Sequence, residues 1–172
     1  MFNVGDLIIY SGHGVCRIDN ISLKTLSGVS KHYYDLHPLS GGNLTISIPV
    51  DNTSVLMLNL IARDEAEEVI ESFRLPGLSW IEKNSQRNKT YSETISTGNR
   101  KEIAKIVNTL MRRKHAVELN NKKLGAQDQS LLTSMQSILF YEMAISLDTT
   151  YEAIFDQVNQ MITTYPNPLT TS

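Results

Sequence analysis

The sequence predicts an α+β chain, with a small antiparallel β-barrel or curled sheet followed by an all-helical part. Three observations predict it. Short β-branched runs cut by turn residues fill the first sixty or so positions. From residue 64 the apolar spacing becomes helical. Helix start signals then recur along the rest of the 172 residues, a length that suits one large domain or two small ones.

The strands come first. Leu7-Ile8-Ile9-Tyr10 stops at Ser11-Gly12-His13-Gly14, and Val15-Cys16-Arg17-Ile18 stops at Asp19-Asn20. Tyr33 to His37 runs on to the turn cluster Ser40-Gly41-Gly42-Asn43, after which Leu44-Thr45-Ile46-Ser47-Ile48-Pro49 alternates with period two. In the second part, Asp64 with Glu67, Ser79 with Glu82, Asn99 with Glu102 and Thr149 with Glu152 each set a side-chain acceptor three residues before a carboxylate. That pattern satisfies the amide protons left without partners at a helix start. It predicts a short helix after Asp64 and a helix from Ser79 that carries Trp80 in its first turn. After Asn99, Ile103, Ile106, Val107, Leu110, Met111 and Val117 form an apolar stripe, whose opposite face is expected to be basic and wet. Gly125 separates this helix from one running from Gln127 to Leu147, and the last helix, Tyr151 to Thr163, stops before Tyr165-Pro166-Asn167-Pro168. The expected organisation is a β module over residues 1–60, a linker with a short helix over 61–78, a helical module over 79–165 and a tail over 166–172.

Bulk chemistry narrows the function classes. Cys16 is alone, so neither an intrachain disulfide nor a Cys-x-x-Cys zinc site can form. No basic stretch leads into an apolar run near Met1, and no run of about 18 apolar residues occurs, so a cytoplasmic protein without membrane association is expected. The formal charge of −2 speaks against a protein that simply coats nucleic acid. Its distribution is uneven. Residues 1–80 hold five Lys or Arg against nine Asp or Glu, whereas residues 81–145 hold eleven against six. A near-neutral chain can therefore carry a basic face in its helical part, as a domain that touches phosphates would. The competing reading is a set of solvated positions on amphipathic helices.

Phe2-Asn3-Val4-Gly5-Asp6-Leu7-Ile8-Ile9-Tyr10, then His13-Gly14-Val15, Ser27-Gly28 before Tyr33-Tyr34, and Leu44 to Pro49 together resemble the CarD-like bacterial transcription regulators. Trp80 followed by Arg87, then Gly98 and Val107-x-x-Leu110-x-Arg112-Arg113, continue the resemblance through the helical part. The resemblance implies a Tudor-like β domain that binds the β subunit of bacterial RNA polymerase. It also implies a helical domain that contacts promoter DNA at the upstream edge of the melted region, with no enzymatic activity, cofactor or small-molecule substrate. On the polymerase-binding surface it places Lys24 and the strand Thr45, Ile46, Ser47 and Ile48; Ser47 departs from the arginine that relatives often carry there. Against DNA it places Trp80 as a wedge in the minor groove beside the bubble. Trp80 lies farther from Arg87 than in relatives, so a gapless alignment puts Asn84 at the wedge position and leaves interdomain packing as the other role for the ring. Arg87, Lys89, Arg112, Arg113, Lys114, Lys122 and Lys123 are the expected phosphate contacts, giving salt-sensitive, sequence-tolerant binding.

Two other classes compete. One is a protein-interaction adapter, in which the β module docks a partner and the helices form a scaffold that touches no DNA. The other is a small hydrolase around Cys16 and His13, for which the sequence offers no orienting third group. His32 and His37 lack a third metal ligand, and the paired glycines lack the lysine and hydroxyl of a phosphate loop.

Overall fold

The computed structural model describes residues 1–165; the expected tail at 166–172 lies outside them. The chain divides into two compact units, Met1–Leu60 and a second from Ile61 onward.

The first unit is a five-stranded antiparallel sheet: β1 Leu7–Tyr10, β2 Gly14–Leu26, β3 Val29–Pro38, β4 Ile46–Pro49 and β5 Met57–Asn59, in the order β4-β3-β2-β1-β5. Alternation sorts the side chains into two faces. Ile8, Cys16, Ile18, Tyr34, Leu36 and Ile48 point to one core, and residues of both edge strands, Ile46 and Met57, pack against it, so the sheet folds over on itself. A break in register between Ile18 and Asn20 leaves Asp19 unpaired and keeps both halves of the long β2 facing the core correctly. The hairpin from β2 to β3 turns on Ser27 and Gly28, both at positive φ, as a two-residue turn of the primed type requires.

Among its described residues the second unit holds five helices: α1 Arg63–Glu71, α2 Asn84–Ser96, α3 Arg100–Leu119, α4 Ala126–Ser146 and α5 Tyr151–Thr164, with a 3-10 turn at Ser72–Arg74 after α1. Its core gathers Phe73, Tyr91, Leu110, Leu132, Phe140, Met143, Ile154 and Val158. Ile61, Ala66, Val69 and Ile70 belong to that core, so residues expected to act as a linker supply packing. α3 is the central helix: Ala104 and every residue from Ile106 to Arg112 are buried, and the broad wet basic face expected for it is reduced to Lys101, Lys105 and the residues after Arg112. No helix among the described residues is long and apolar enough to cross a membrane.

The start signals fared unevenly. Asn99 caps α3 as expected, accepting from the amide of Glu102 at 3.2 Å. For α5 the cap is Thr150, one residue after Thr149, accepting from Ala153 at 3.1 Å. α1 has no side-chain cap, and Asp64 accepts only the neighbouring Glu65 amide. The pair Ser79 and Glu82 fails altogether, because α2 begins at Asn84 and residues 75–82 belong to no helix or strand. Tertiary contacts hold that segment out of the helix.

Candidate functional site

On the outer face of the β sheet, Lys24 of β2 reaches across β3 towards β4. Its Nζ donates to Asp35 Oδ1 and to Ser47 Oγ, both at 2.6 Å, and Ser47 Oγ in turn donates to Asp35 Oδ1 at 2.6 Å. Ser22 adds a longer bond to the same carboxylate. Lys24 first, and Ser47 second, hold the Asp35 carboxyl below the usual range. Thr45 is exposed just ahead of β4, and β4 is an edge strand with β3 as its only neighbour in the sheet. Ile48 is buried in the β core and Ile46 packs against it. The Ile48 side chain is not free to meet a partner and that of Ile46 is partly covered, so what that stretch mainly offers is its backbone edge and Ser47.

In the helical unit two of the expected phosphate contacts are interior. Arg87 and Asp128, 4% and 6% exposed in their side chains, pair through Nη2 and Oδ2 at 2.6 Å and through Nε and Oδ1 at 3.0 Å. The same guanidinium donates to the carbonyl of Ile81 at 2.6 Å and to Asn84 Oδ1 at 2.7 Å. Asp128, above all, raises the Arg87 pKa. Arg112 is likewise buried: Nε donates to Asn108 Oδ1 at 2.7 Å, Nη2 to the carbonyl of Phe73 at 2.7 Å, and Nη1 to the carbonyl of Tyr165. Both arginines have their donors committed inside the unit, which removes them from the phosphate-binding set. Arg112 sits on the buried arc of α3 four residues after Asn108, a position that the apolar stripe alone could have flagged.

One of these interior arginines, Arg87, packs on Trp80. Residues 75–82 cross α3 as a strap: Asn108 Nδ2 donates to the carbonyl of Leu75 at 3.0 Å, and the amide of Leu78 donates to Thr109 Oγ1 at 2.8 Å. Gly77 lies so close to α3 that a β-carbon there would fall 2.9 Å from Thr109 Cα. Gly77→Ala is therefore expected to push the strap off the helix and cost about 1–3 kcal/mol in urea unfolding, because the clash is with backbone. At the end of the strap the indole of Trp80 is half-buried against the helical core. The Arg87 guanidinium lies 4.2 Å from its ring centroid, and that of Arg113 lies 4.8 Å away. The expected first-turn helical position of Trp80 is thus replaced by one outside any helix, with Asn84 at the start of α2 occupied by Arg87.

The remaining cations stand outside. Arg113 is exposed; Lys89 lies 4.0 Å from Glu93, and Lys114 pairs with Glu118. Both carboxylates are four residues on, a neutralising pattern visible in the sequence. Lys122 and Lys123, just past α3, are exposed and have no carboxylate partner among the described residues. Lys83, the residue before α2, shares that state and escaped sequence reasoning. Its signal was the absence of any acid three or four residues either side. The Arg112-Arg113-Lys114 cluster consequently splits three ways: one inward, one against Trp80, one paired.

Cys16 is fully buried and its thiol is pushed up to about 11 by that burial. The His13 ring stacks on Tyr10. No thiolate is available at neutral pH to serve as a nucleophile.

The chain is thus a two-part protein, a curled antiparallel sheet followed by a helical unit with a tryptophan against two arginines. Comparison with known families gives the class a name. Residues 2–61 match the CarD-like/TRCF RID domain, and residues 68–159 match the CarD, C-terminal domain. The chain belongs to the CarD-like family of transcription regulators. It is similar to a protein of Bacillus subtilis (strain 168) named "Putative transcription factor YdeB", with 30% identity over 154 residues that cover 84% of this chain and 92% of that protein.

Proposed function

We propose that the β unit docks on the β subunit of bacterial RNA polymerase through the face bearing Lys24, with Thr45, Ser47 and the backbone edge of Ile46 and Ile48, while the helical unit contacts promoter DNA at the upstream edge of the bubble. In this reading Trp80 meets the minor groove beside the opening. Arg113, Lys83, Lys122 and Lys123 meet phosphates, with Lys89 and Lys114 as weaker contributors because each already has a carboxylate. Arg87 and Arg112 are positioning residues. The DNA contact becomes available when the promoter opens, so the protein shifts a closed-to-open equilibrium.

The observation that carries the reading is the distribution of unneutralised charge. Among the described residues, the exposed cations with no carboxylate partner are Lys83, Arg113, Lys122 and Lys123, all in the helical unit, and one of them lies against the only tryptophan. Phosphate contacts of this kind position a protein without reading sequence. The test is duplex binding by the full chain over a salt series. Arg113→Gln with Lys122→Gln and Lys123→Gln should lower the log–log salt slope by roughly three, about 0.9 for each phosphate that the variant no longer meets. An unchanged slope would move the protein to the adapter class. Trp80→Ala should shorten open-complex lifetime while polymerase binding stays intact.

A further inference from the structure

The last strand of the first unit ends at Asn59, and after Leu60 the chain reaches Ile61, the first residue of the second unit. Both backbone groups of Ile61 are held by α4. Its amide donates to Glu142 Oε1 at 2.7 Å, and its carbonyl accepts from Ser146 Oγ at 2.8 Å. Glu142 and Ser146 are four residues apart, so they lie one turn from each other on a single face of the helix. The Ile61 side chain is buried in the helical core. Glu142 is 2% exposed, and Arg100 of α3 completes its pairing, with Nη2 donating to Oε1 at 2.8 Å. α1 starts directly afterwards, at Arg63.

Resting on the reading in which the β unit docks on polymerase and the helical unit meets DNA, we infer that Glu142 and Ser146 are positioning residues for that two-site binding. They clamp the chain where it enters the helical unit, and the short join that results raises the effective concentration of the helical unit at the promoter once the β unit is docked. The chemistry of the clamp carries the inference. A buried carboxylate is costly to desolvate, and an apolar residue in its place would pack α4 against its neighbours as well or better. What the carboxylate adds is a strong acceptor at a defined point, which fixes the Ile61 amide in direction as well as in distance. Ser146 does the same for the carbonyl, one turn on. Released from both, Ile61 and Ala62 would join Leu60 in a loose tether ahead of α1. A module on a short, stiff join meets its second target at a higher effective concentration than one on a loose tether. The clamp therefore acts on the two contacts taken together and on neither taken alone.

The test measures two affinities of the full chain: for purified bacterial RNA polymerase core, and for the same polymerase on a promoter fragment with a pre-opened bubble. The ratio of the two Kd values reads the join. An insertion of roughly six Gly and Ser residues between Leu60 and Ile61 leaves the bonds within each unit in place and makes the tether flexible. It should cut the ratio at least about threefold while affinity for core polymerase, and for duplex alone, stays parental. Ser146→Ala and Glu142→Gln, each measured below its melting point, should cut the ratio in the same direction. Ser146→Ala placed in the inserted chain should cut it no further, because a clamp that acts through the join has nothing left to hold; a purely structural role would add its loss in both backgrounds. A parental ratio in the inserted chain or in either folded clamp variant overturns the inference and leaves the proposed function standing. So does a full further loss from Ser146→Ala in the inserted chain, or a fall in either separate affinity. A parent that binds polymerase on the opened promoter no more tightly than core polymerase overturns the two-site reading and this inference with it.

Discussion

Asp128→Ala is expected to be among the most destabilising single substitutions in the helical unit, costing about 3–5 kcal/mol in chemical unfolding, because it strands the buried Arg87 guanidinium without its counter-charge. The geometry supports the size of the effect. Both side chains are nearly sealed from water and share two hydrogen bonds, and Arg87 also bridges to Ile81 and Asn84. Losing Asp128 leaves a charge that neither Asn84 nor a carbonyl can neutralise. Replacing both partners, as in Arg87→Leu with Asp128→Leu, should cost much less than the single change, since an apolar pair leaves no uncompensated charge. A double-mutant cycle would measure the coupling. The single change has an optical readout as well. Trp80 is the only tryptophan, and the Arg87 guanidinium lies 4.2 Å from its ring, so its emission should shift in Asp128→Ala below the unfolding transition. A variant that melts within about 1 kcal/mol of the parent, with unchanged emission, would mean that α4 does not hold Arg87 in place.

That network explains where sequence reasoning succeeded and where it stopped. Several elements were legible because each has a local cause: turn residues at Ser11 to Gly14, the cap at Asn99 and the glycine before α4; β2 was expected to stop at Asp19-Asn20 and instead continues to Leu26, because a bulge there and pairing with β3 carry it through. The strap was not legible, because its cause is tertiary. Ser79 and Glu82 form a sound local start signal, and the chain ignores it because Thr109, Asn108 and Arg87 bond to backbone groups of Leu78, Leu75 and Ile81. The same long-range bonds misdirected the charge reading. Arg87 and Arg112 count as basic residues in a sequence, yet their partners Asp128 and Phe73 lie 41 and 39 residues away. Of the basic positions, the part that local rules could sort was the surface set, where an acid four residues on marks Lys89 and Lys114 as neutralised.

Arg112→Met should be nearly as costly as the loss of Asp128, roughly 3 kcal/mol, although the buried arginine has no carboxylate beside it. Its guanidinium is held instead by hydrogen bonds to three neutral oxygens: Asn108 Oδ1, the Phe73 carbonyl in the 3-10 turn and the Tyr165 carbonyl just past α5. Carbonyls at helix ends carry partial negative charge, which makes them fit acceptors for a cation. Burial lowers the Arg112 pKa, but a guanidinium starts so high that it stays charged. Methionine keeps much of the volume and leaves the Asn108 and Phe73 acceptors without this donor in the interior. Arg112→Lys should rescue little, because one ammonium cannot reach three oxygens that a planar fork meets together. The consequence extends to the proposed DNA contact. The Phe73 carbonyl begins the stretch that becomes the strap, so a chain lacking this bond should hold Trp80 less firmly and shorten open-complex lifetime at temperatures where the unit remains folded. Thermal melting and open-complex decay, measured on the same preparation, check the two effects together. An Arg112→Met variant with parental melting would show that the α5 end and the strap are fixed by apolar packing alone, and parental decay in a folded variant would detach the strap from the action of Trp80.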